Sequence, residues 1–248
     1  SRSLRVYVGA NDGMLHAFDA GSGDEVWAYI PSMVLPKLYR LADKDYGKDH
    51  QFYVDGSPVS GDVFDGSSWK TILVGGLGAG GRGYYALDVT DPDNPAALWE
   101  FTDNNLGLTF GKPEITKLKD GTWVVIFASG YNNVSPGDGH GRLFVLRASD
   151  GALIRTIDTV VGSAATPSGL AQIRAWVDRT EVNNTTLRVY GGDGFGNVWR
   201  FDVNNDIGAS GYDAQVLATL RDGAGNAQPL TARPELGGPE QASWLARL

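Results

Sequence analysis

A strand, glycine turn, strand unit occurs four times along this chain, and that recurrence restricts the possible fold more than any other feature. Val6 to Asp19 reads VYVGANDGMLHAFD, and related segments follow at Ile72 to Asp88, Val125 to Arg147 and Arg188 to Asp202. Aligned on the acidic or basic residue that ends the second strand, three copies place a glycine at the same distance before it: Gly13, Gly141 and Gly196. The second copy has Arg82 at that position, between Gly81 and Gly83. Prolines run in phase with these hairpins, with Pro58, Pro113, Pro167 and Pro234 each opening an apolar segment. Proline is tolerated at the first residue of a strand, where its missing N–H leaves no ladder bond unmade. Each unit therefore reads as a proline strand, a second strand, a glycine turn, a third strand and a closing strand. Four antiparallel strands repeated every few tens of residues are the blade of a β-propeller, whereas a β-sandwich gives no reason for landmarks to recur in phase.

The expected class is all-β, a propeller of four-stranded antiparallel blades, and 34 glycines and 11 prolines among 248 residues suit its many turns. The length accommodates about four to five blades, fewer than most rings of this blade size hold, so a fragment of a larger ring or a small open one is expected. The blade-like units fall at about 1–32, 51–102, 108–158 and 164–222, with a partial unit at 228–236, all within a propeller region spanning 1–236. The first unit lacks its opening strand, which either the chain's own tail or a larger ring would supply. Residues 33–50 form an insertion in which Leu35, Leu38 and Leu41 predict a short helix over one face of the disc. A long polar hairpin loop occupies 130–141, and 237–248 reads as a tail without strand alternation.

The formal net charge of -8 argues against non-specific nucleic-acid binding, which needs a basic face. No stretch approaches the length of apolar chain that spans a bilayer, and Ser1 opens no recognisable signal peptide, so a soluble piece is expected. Cysteine is absent, which removes disulfides, thiolate zinc sites and thiol nucleophiles. The histidines, His16, His50 and His140, show no metal-ligand spacing, and no G-x-S-x-G elbow occurs. The glycine run at 75–84 joins two strands, so no helix N-terminus is available to hold a phosphate; it reads as a wide hairpin. Oxygen-rich stretches at 91–94, 103–105, 178–184 and 204–206 fit no calcium loop and read as polar turns. No catalytic residue and no cofactor are expected.

The segment from Ala17 to Trp27, AFDAGSGDEVW, resembles the tryptophan-docking repeat of quinoprotein-like propellers, in which the ring packs between blades. Together with YVDGSPVSGDVF, LVGGLGAGGRGYYALDVTDP and YGGDGFGNVWRFDV in the same order, it resembles the C-terminal propeller domain of the PilY1 family of type IV pilus biogenesis factors and tip adhesins. The resemblance implies a seven-bladed modified propeller, of which this chain would be a part. It also implies a non-enzymatic module that supports pilus extension and retraction, surface attachment and twitching motility. The implied partners are major and minor pilins, the pilus assembly machinery, and a host or abiotic surface ligand. The implied place is the bacterial cell surface, at the pilus tip or outer membrane, after export through the periplasm. A quinone-dependent dehydrogenase fragment and an outer-membrane assembly scaffold of the BamB type are the alternatives.

Members of that family commonly carry a calcium loop, D-x-D-x-D-G-x-x-D, ahead of the strand that matches Arg188 to Gly192. Here its equivalents are Asp178 or Arg179, then Glu181, Asn183 and Leu187. Leucine cannot ligate and arginine repels a cation, so calcium binding at this position is expected to be lost or very weak.

Overall fold

The computed structural model describes residues 3–179 and 182–237. Fifteen strands follow the expected hairpin repeat. Blade I contains β1 (Arg5–Gly9), β2 (Leu15–Asp19) and β3 (Glu25–Tyr29), and blade II contains β4 (Val59–Phe64), β5 (Trp69–Gly76), β6 (Tyr84–Asp88) and β7 (Ala96–Phe101). Blade III runs through β8 (Glu114–Lys117), β9 (Trp123–Ala128), β10 (Arg142–Arg147) and β11 (Leu153–Asp158). Blade IV runs through β12 (Ile173–Arg179), β13 (Asn183–Gly192), β14 (Asn197–Phe201) and β15 (Ala214–Thr219). Within every blade the pairing is antiparallel between chain neighbours; a single parallel bridge, Thr185 to Lys117, links blades III and IV.

Side chains on a strand alternate between two faces, so a sheet buried on one side must find apolar residues at every second position. The central strands go further. All but the ends of β5, β6, β9 and β10 are buried, because those strands have a sheet on both faces. Three apolar layers fill the gaps. Leu15, Tyr53, Leu73, Tyr85 and Leu87 pack between blades I and II. Ile72, Val74, Tyr84, Phe127 and Phe144 pack between II and III, and Ile126, Val145, Val189, Trp199 and Phe201 between III and IV. Among the described residues none of these layers joins blade I to blade IV.

The tryptophan of the docking repeat sits as the repeat implies. Trp27 on β3 donates its indole N–H to the Pro92 carbonyl of blade II at 2.9 Å. Trp99, on the corresponding strand of blade II, donates to the Ala148 carbonyl of blade III at the same distance of 2.9 Å. At the next junction Arg155 of β11 takes the place of the indole and lies 3.3 Å from the centroid of the Tyr212 ring of blade IV. Each junction thus sets a large flat group on the turn that follows the third strand of the next sheet, and at the first two the indole N–H is satisfied as well.

The insertion departs from the simplest expectation. Ser32–Ala42 and Tyr46–Lys48 are 3-10 helices, with Pro36 inside the first. Three-residue turns align Leu35, Leu38 and Leu41, yet only Leu38 and Leu41 pack against the core while Leu35 remains 52% exposed. Gly13 has a φ of +96°, which favours glycine, and Leu38 lies over it, where a Cβ would come within 2.3 Å of a leucine methyl. Glu100 of β7 receives both the Ser32 N–H and the Tyr29 hydroxyl, fastening the insertion to the first two blades.

Two proline landmarks stand immediately before strands, Pro58 ahead of β4 and Pro113 ahead of β8, whereas β12 begins several residues after Pro167. The expected partial unit at 228–236 forms no strand. Leu230 instead packs on Gly192 and its N–H reaches the Asp193 carbonyl, while Arg233 reaches the Ile173 carbonyl and pairs with Glu114. This segment therefore stays with blades III and IV and does not supply the opening strand of blade I. The expected tail beyond residue 237 lies outside the described residues.

Candidate functional site

The β1–β2, β5–β6, β9–β10 and β13–β14 hairpin turns gather on one face of the fold, and the longest, 130–141, is the most elaborately held. Its backbone enters the left-handed region at Asn132, Ser135, Gly137 and Gly139. At Gly137 a Cβ would fall 2.3 Å from the Asn133 carbonyl oxygen, so only glycine fits that close approach. Arg82, the residue that breaks the glycine pattern of the second hairpin, crosses from blade II to tie this loop. Its guanidinium donates to the carbonyls of Asn132 (2.9 Å), Val134 (2.6 Å) and Pro136 (3.0 Å). The buried Asn133 amide donates to Asn105 and His140 carbonyls at 3.1 and 2.8 Å, closing the loop from beneath.

At the end of this loop Asp138, His140 and Asp158 bring their donor atoms within 4.8 Å of one another, the only such group among the described residues. Arg142 occupies the position a cation would take. It gives both terminal nitrogens to Asp138, at 2.5 and 2.6 Å, and one of them also to Asp158 at 2.7 Å. These bonds hold the Asp138 carboxyl well below the usual carboxylate range and push the arginine's pKa up, each chiefly through the hydrogen bonds they share. His140 faces Asp158 through Nδ1 at 3.2 Å. A fixed guanidinium therefore offsets part of the charge of the two aspartates, bidentate to Asp138 in the geometry that suits arginine. Sequence spacing hides this group, because Asp158 joins it through the cross-strand pair Arg142 to Asp158.

The positions corresponding to the family's calcium loop fall on the β12–β13 hairpin. Arg179 pairs with Asn183 across the turn, and the ladder shifts register twice before Trp176 pairs with Arg188. Leu187 is the extra residue of one of those bulges, opposite no partner. The Asn183 side-chain oxygen accepts the Thr185 hydroxyl at 2.6 Å. Glu181 lies outside the described residues. A strand ladder with an apolar residue at the closing position does not fit calcium, which needs six or more oxygens converging from a flexible loop.

Other oxygen-rich stretches are turns closed on themselves. Asp91 accepts from the Asp93 N–H and the Asn94 amide, and Asp103 from the Asn105 N–H. The buried Asp202 accepts backbone N–H groups of Asn204, Asp206, Ile207, Gly208 and Tyr212. Burial opposes its charge, yet these donors outweigh it and lower its pKa. The glycine run at 75–84 is the β5–β6 turn, with the Lys37 ammonium bonded to the Gly80 carbonyl and set 4.9 Å over the Tyr53 ring. His16 is held between Glu25 and Asp12 at 3.0 and 2.9 Å, and His50 packs against Tyr46 and Phe52 in the insertion. The histidines thus lie in three separate places.

A family model described as the PilY1 beta-propeller domain matches residues 1–243. The type IV pilus biogenesis factor PilY1 of Pseudomonas aeruginosa strain PAO1 is 40% identical over 259 residues, covering 95% of this chain and 22% of that protein. A PilY1 homolog of Xylella fastidiosa is also 40% identical, over 247 residues, covering 97% of this chain and 19% of its own length. The crystal structure of the Pseudomonas aeruginosa PilY1 C-terminal domain superposes with a TM-score of 0.79 at 39% identity, covering 97% of this chain and 51% of that one. This chain therefore spans about a fifth of the curated relatives and about half of the crystallised domain.

Proposed function

The chain belongs to the PilY1 β-propeller family, and from that premise we propose that it is a non-enzymatic module of type IV pilus biogenesis. In this reading it supports pilus extension and retraction, surface attachment and twitching motility. It acts at the cell surface, at the pilus tip or outer membrane, against pilins and the assembly machinery. The observation that carries the reading is the match over nearly the whole chain, at 40% identity, with proteins named for that role. The site chemistry supports it from the other side: the guanidinium groups of Arg82 and Arg142 that reach the long loop are engaged in holding it. No described helix is long and apolar enough to cross a membrane. Deleting the codons for this segment in frame from its parent gene tests the reading. Surface pili counted by electron microscopy and the width of the twitching zone should both fall sharply and return with the intact gene; unchanged pili and twitching would contradict it.

Calcium does not control this member in the same reading, because Leu187 stands at the closing position of the loop. Titration calorimetry of the chain with calcium chloride should show no binding heat. A saturable micromolar isotherm would place a calcium site elsewhere in the chain and remove this part of the proposal.

A further inference from the structure

On the face opposite the long loop, the turns β4–β5, β8–β9 and β10–β11 open a cleft of about 340 Å³ between blades II and III. Both of these blades have neighbours within this chain, so the cleft is bounded on each side by sheets already described. Phe64 and Trp123 line the cleft, and Trp69 lies beside both. Trp69 meets Trp123 edge to face at 5.6 Å between centroids, and Phe64, its cross-strand partner, lies tilted against it at 5.8 Å. Trp69 is 61% exposed, an unusual state for the largest apolar side chain when the same fold buries Trp99 and Trp199.

Around this strip stand groups that still have hydrogen-bonding capacity. Asp65 accepts on Oδ1 from the Ser67 and Ser68 N–H groups and the Ser67 hydroxyl, while its Oδ2 has only the Ser68 hydroxyl at 3.4 Å. Those turn donors also lower the Asp65 pKa to about 2, keeping it an acceptor at physiological pH. Asp120 receives the Thr122 N–H on Oδ1. Arg147 gives one terminal nitrogen to Asp150 at 2.7 Å, which leaves its other nitrogen for a ligand, and Ser149 adds a hydroxyl to the wall. At Gly66 and Gly121 a Cβ would meet nothing within 4 Å, so the mouth is open.

The geometry points to a saccharide-binding site, in which a pyranose ring lies on Trp69 and the rim takes its hydroxyls. A sugar has one face of C–H groups that the electron-rich face of an indole attracts, and hydroxyls that donate and accept together. The cleft and the ring beside it offer both halves: the exposed Trp69 and a rim of acceptor carboxylates with a guanidinium donor. Its volume falls at the lower end of the roughly 300–1,000 Å³ typical of small-ligand sites. A quaternary ammonium fits less well. Its cage needs rings spaced around a cation, whereas these rings touch, the Lys117 ammonium already lies 5.8 Å over Trp123, and Arg147 repels positive charge. This inference rests on the attachment part of the proposed function and gives the surface ligand a chemical class.

The test uses the whole 248-residue chain. Lactose, N,N′-diacetylchitobiose, cellobiose, maltose and mannobiose are presented at millimolar concentration, with choline as a separate probe, and read by saturation-transfer NMR and tryptophan fluorescence. At least one sugar should give ring-proton transfer and saturable quenching. W69A, whose ring is mostly in solvent, should keep the fold by circular dichroism and weaken that sugar at least tenfold; W69F should retain part of the binding. No signal from any sugar, a sugar signal unaffected by W69A, or choline as the one W69A-sensitive probe would each overturn the inference. In cells, W69A in the parent gene should leave surface pili and twitching intact and reduce attachment to surfaces coated with the bound sugar. Loss of pili in the deletion strain but normal attachment by W69A would remove the saccharide site alone, whereas normal pili in the deletion strain would remove the pilus reading.

Discussion

Blades I and II turn matching residues toward the sheet that precedes them, and the two faces have different surroundings. In blade II, Leu73, Tyr85 and Leu87 point at blade I and are 1% exposed or less. In blade I the cross-strand pairs Val6 with Phe18 and Val8 with His16 repeat that register, yet Val6 is 48% and Val8 45% exposed. The alternation along the strands is alike; what differs is the neighbour. Burial in this architecture is thus conferred by the next sheet, and a residue's own pattern only makes it available. Blade I also carries charge on this face, with His16 between Asp12 and Glu25, where blade II carries Tyr85 and Leu87.

Paired substitutions at matching positions break or sharpen that contrast. The largest effect is expected at the docking tryptophans. Trp99→Ala removes a buried indole between two complete blades and should cost about 3–5 kcal/mol in a urea melt, the usual range for emptying an aromatic core site. Trp27→Ala, whose ring is only partly buried, should cost clearly less. Equal losses would show that blade I is as enclosed as blade II. Next comes Leu73→Ala, expected to lose about 2–4 kcal/mol, against Val6→Ala, expected to stay within about 0.5 kcal/mol. A large loss at Val6 would mean that the face is covered in solution.

The smallest effect is the pH dependence at His16. Burial disfavours its charged form, but the carboxylates of Glu25 and Asp12 outweigh that and raise its pKa above the ordinary histidine value. Folding therefore gains from the protonated ring below the unfolded value of about 6.5, and the gain disappears as pH rises through the higher folded value. Stability of the parent chain relative to His16→Gln should accordingly be greatest in mildly acidic buffer and shrink toward alkaline pH. A difference that grows with pH would reverse the assignment.

Much of the fold was legible because a hairpin unit writes itself locally. Gly13, Gly141 and Gly196 sit in turns with positive φ or close packing, and the strands either side of them formed where the repeat put them. Arg82 stood out as a departure, and its reach to three carbonyls of the next blade is the reason. The misplaced features share a different cause. Pro234 opens a short apolar run that reads as a strand, but a strand needs a partner edge, and Leu230 and Arg233 found side-chain and backbone partners on blades III and IV instead. The Asp138, His140 and Asp158 group, and the ring strip of Phe64, Trp69 and Trp123, draw residues from separate hairpins or blades. Their contacts depend on how sheets stack, which no local pattern encodes. The calcium-loop departure at Leu187 was legible from residue type alone, while its placement in a bulge required the register of β12 against β13.

Hydrogen–deuterium exchange resolved to peptides tests most directly whether the two central blades form the frame and the outer blades depend on neighbours. β5 and β9 are paired on both edges and covered on both faces, whereas β1 pairs only with β2 among the described residues. Peptides spanning β5, β6, β9 and β10 should exchange slowest, and those spanning β1 and β15 markedly faster. Protection of β1 equal to that of β5 would contradict the contrast between enclosed and open blades.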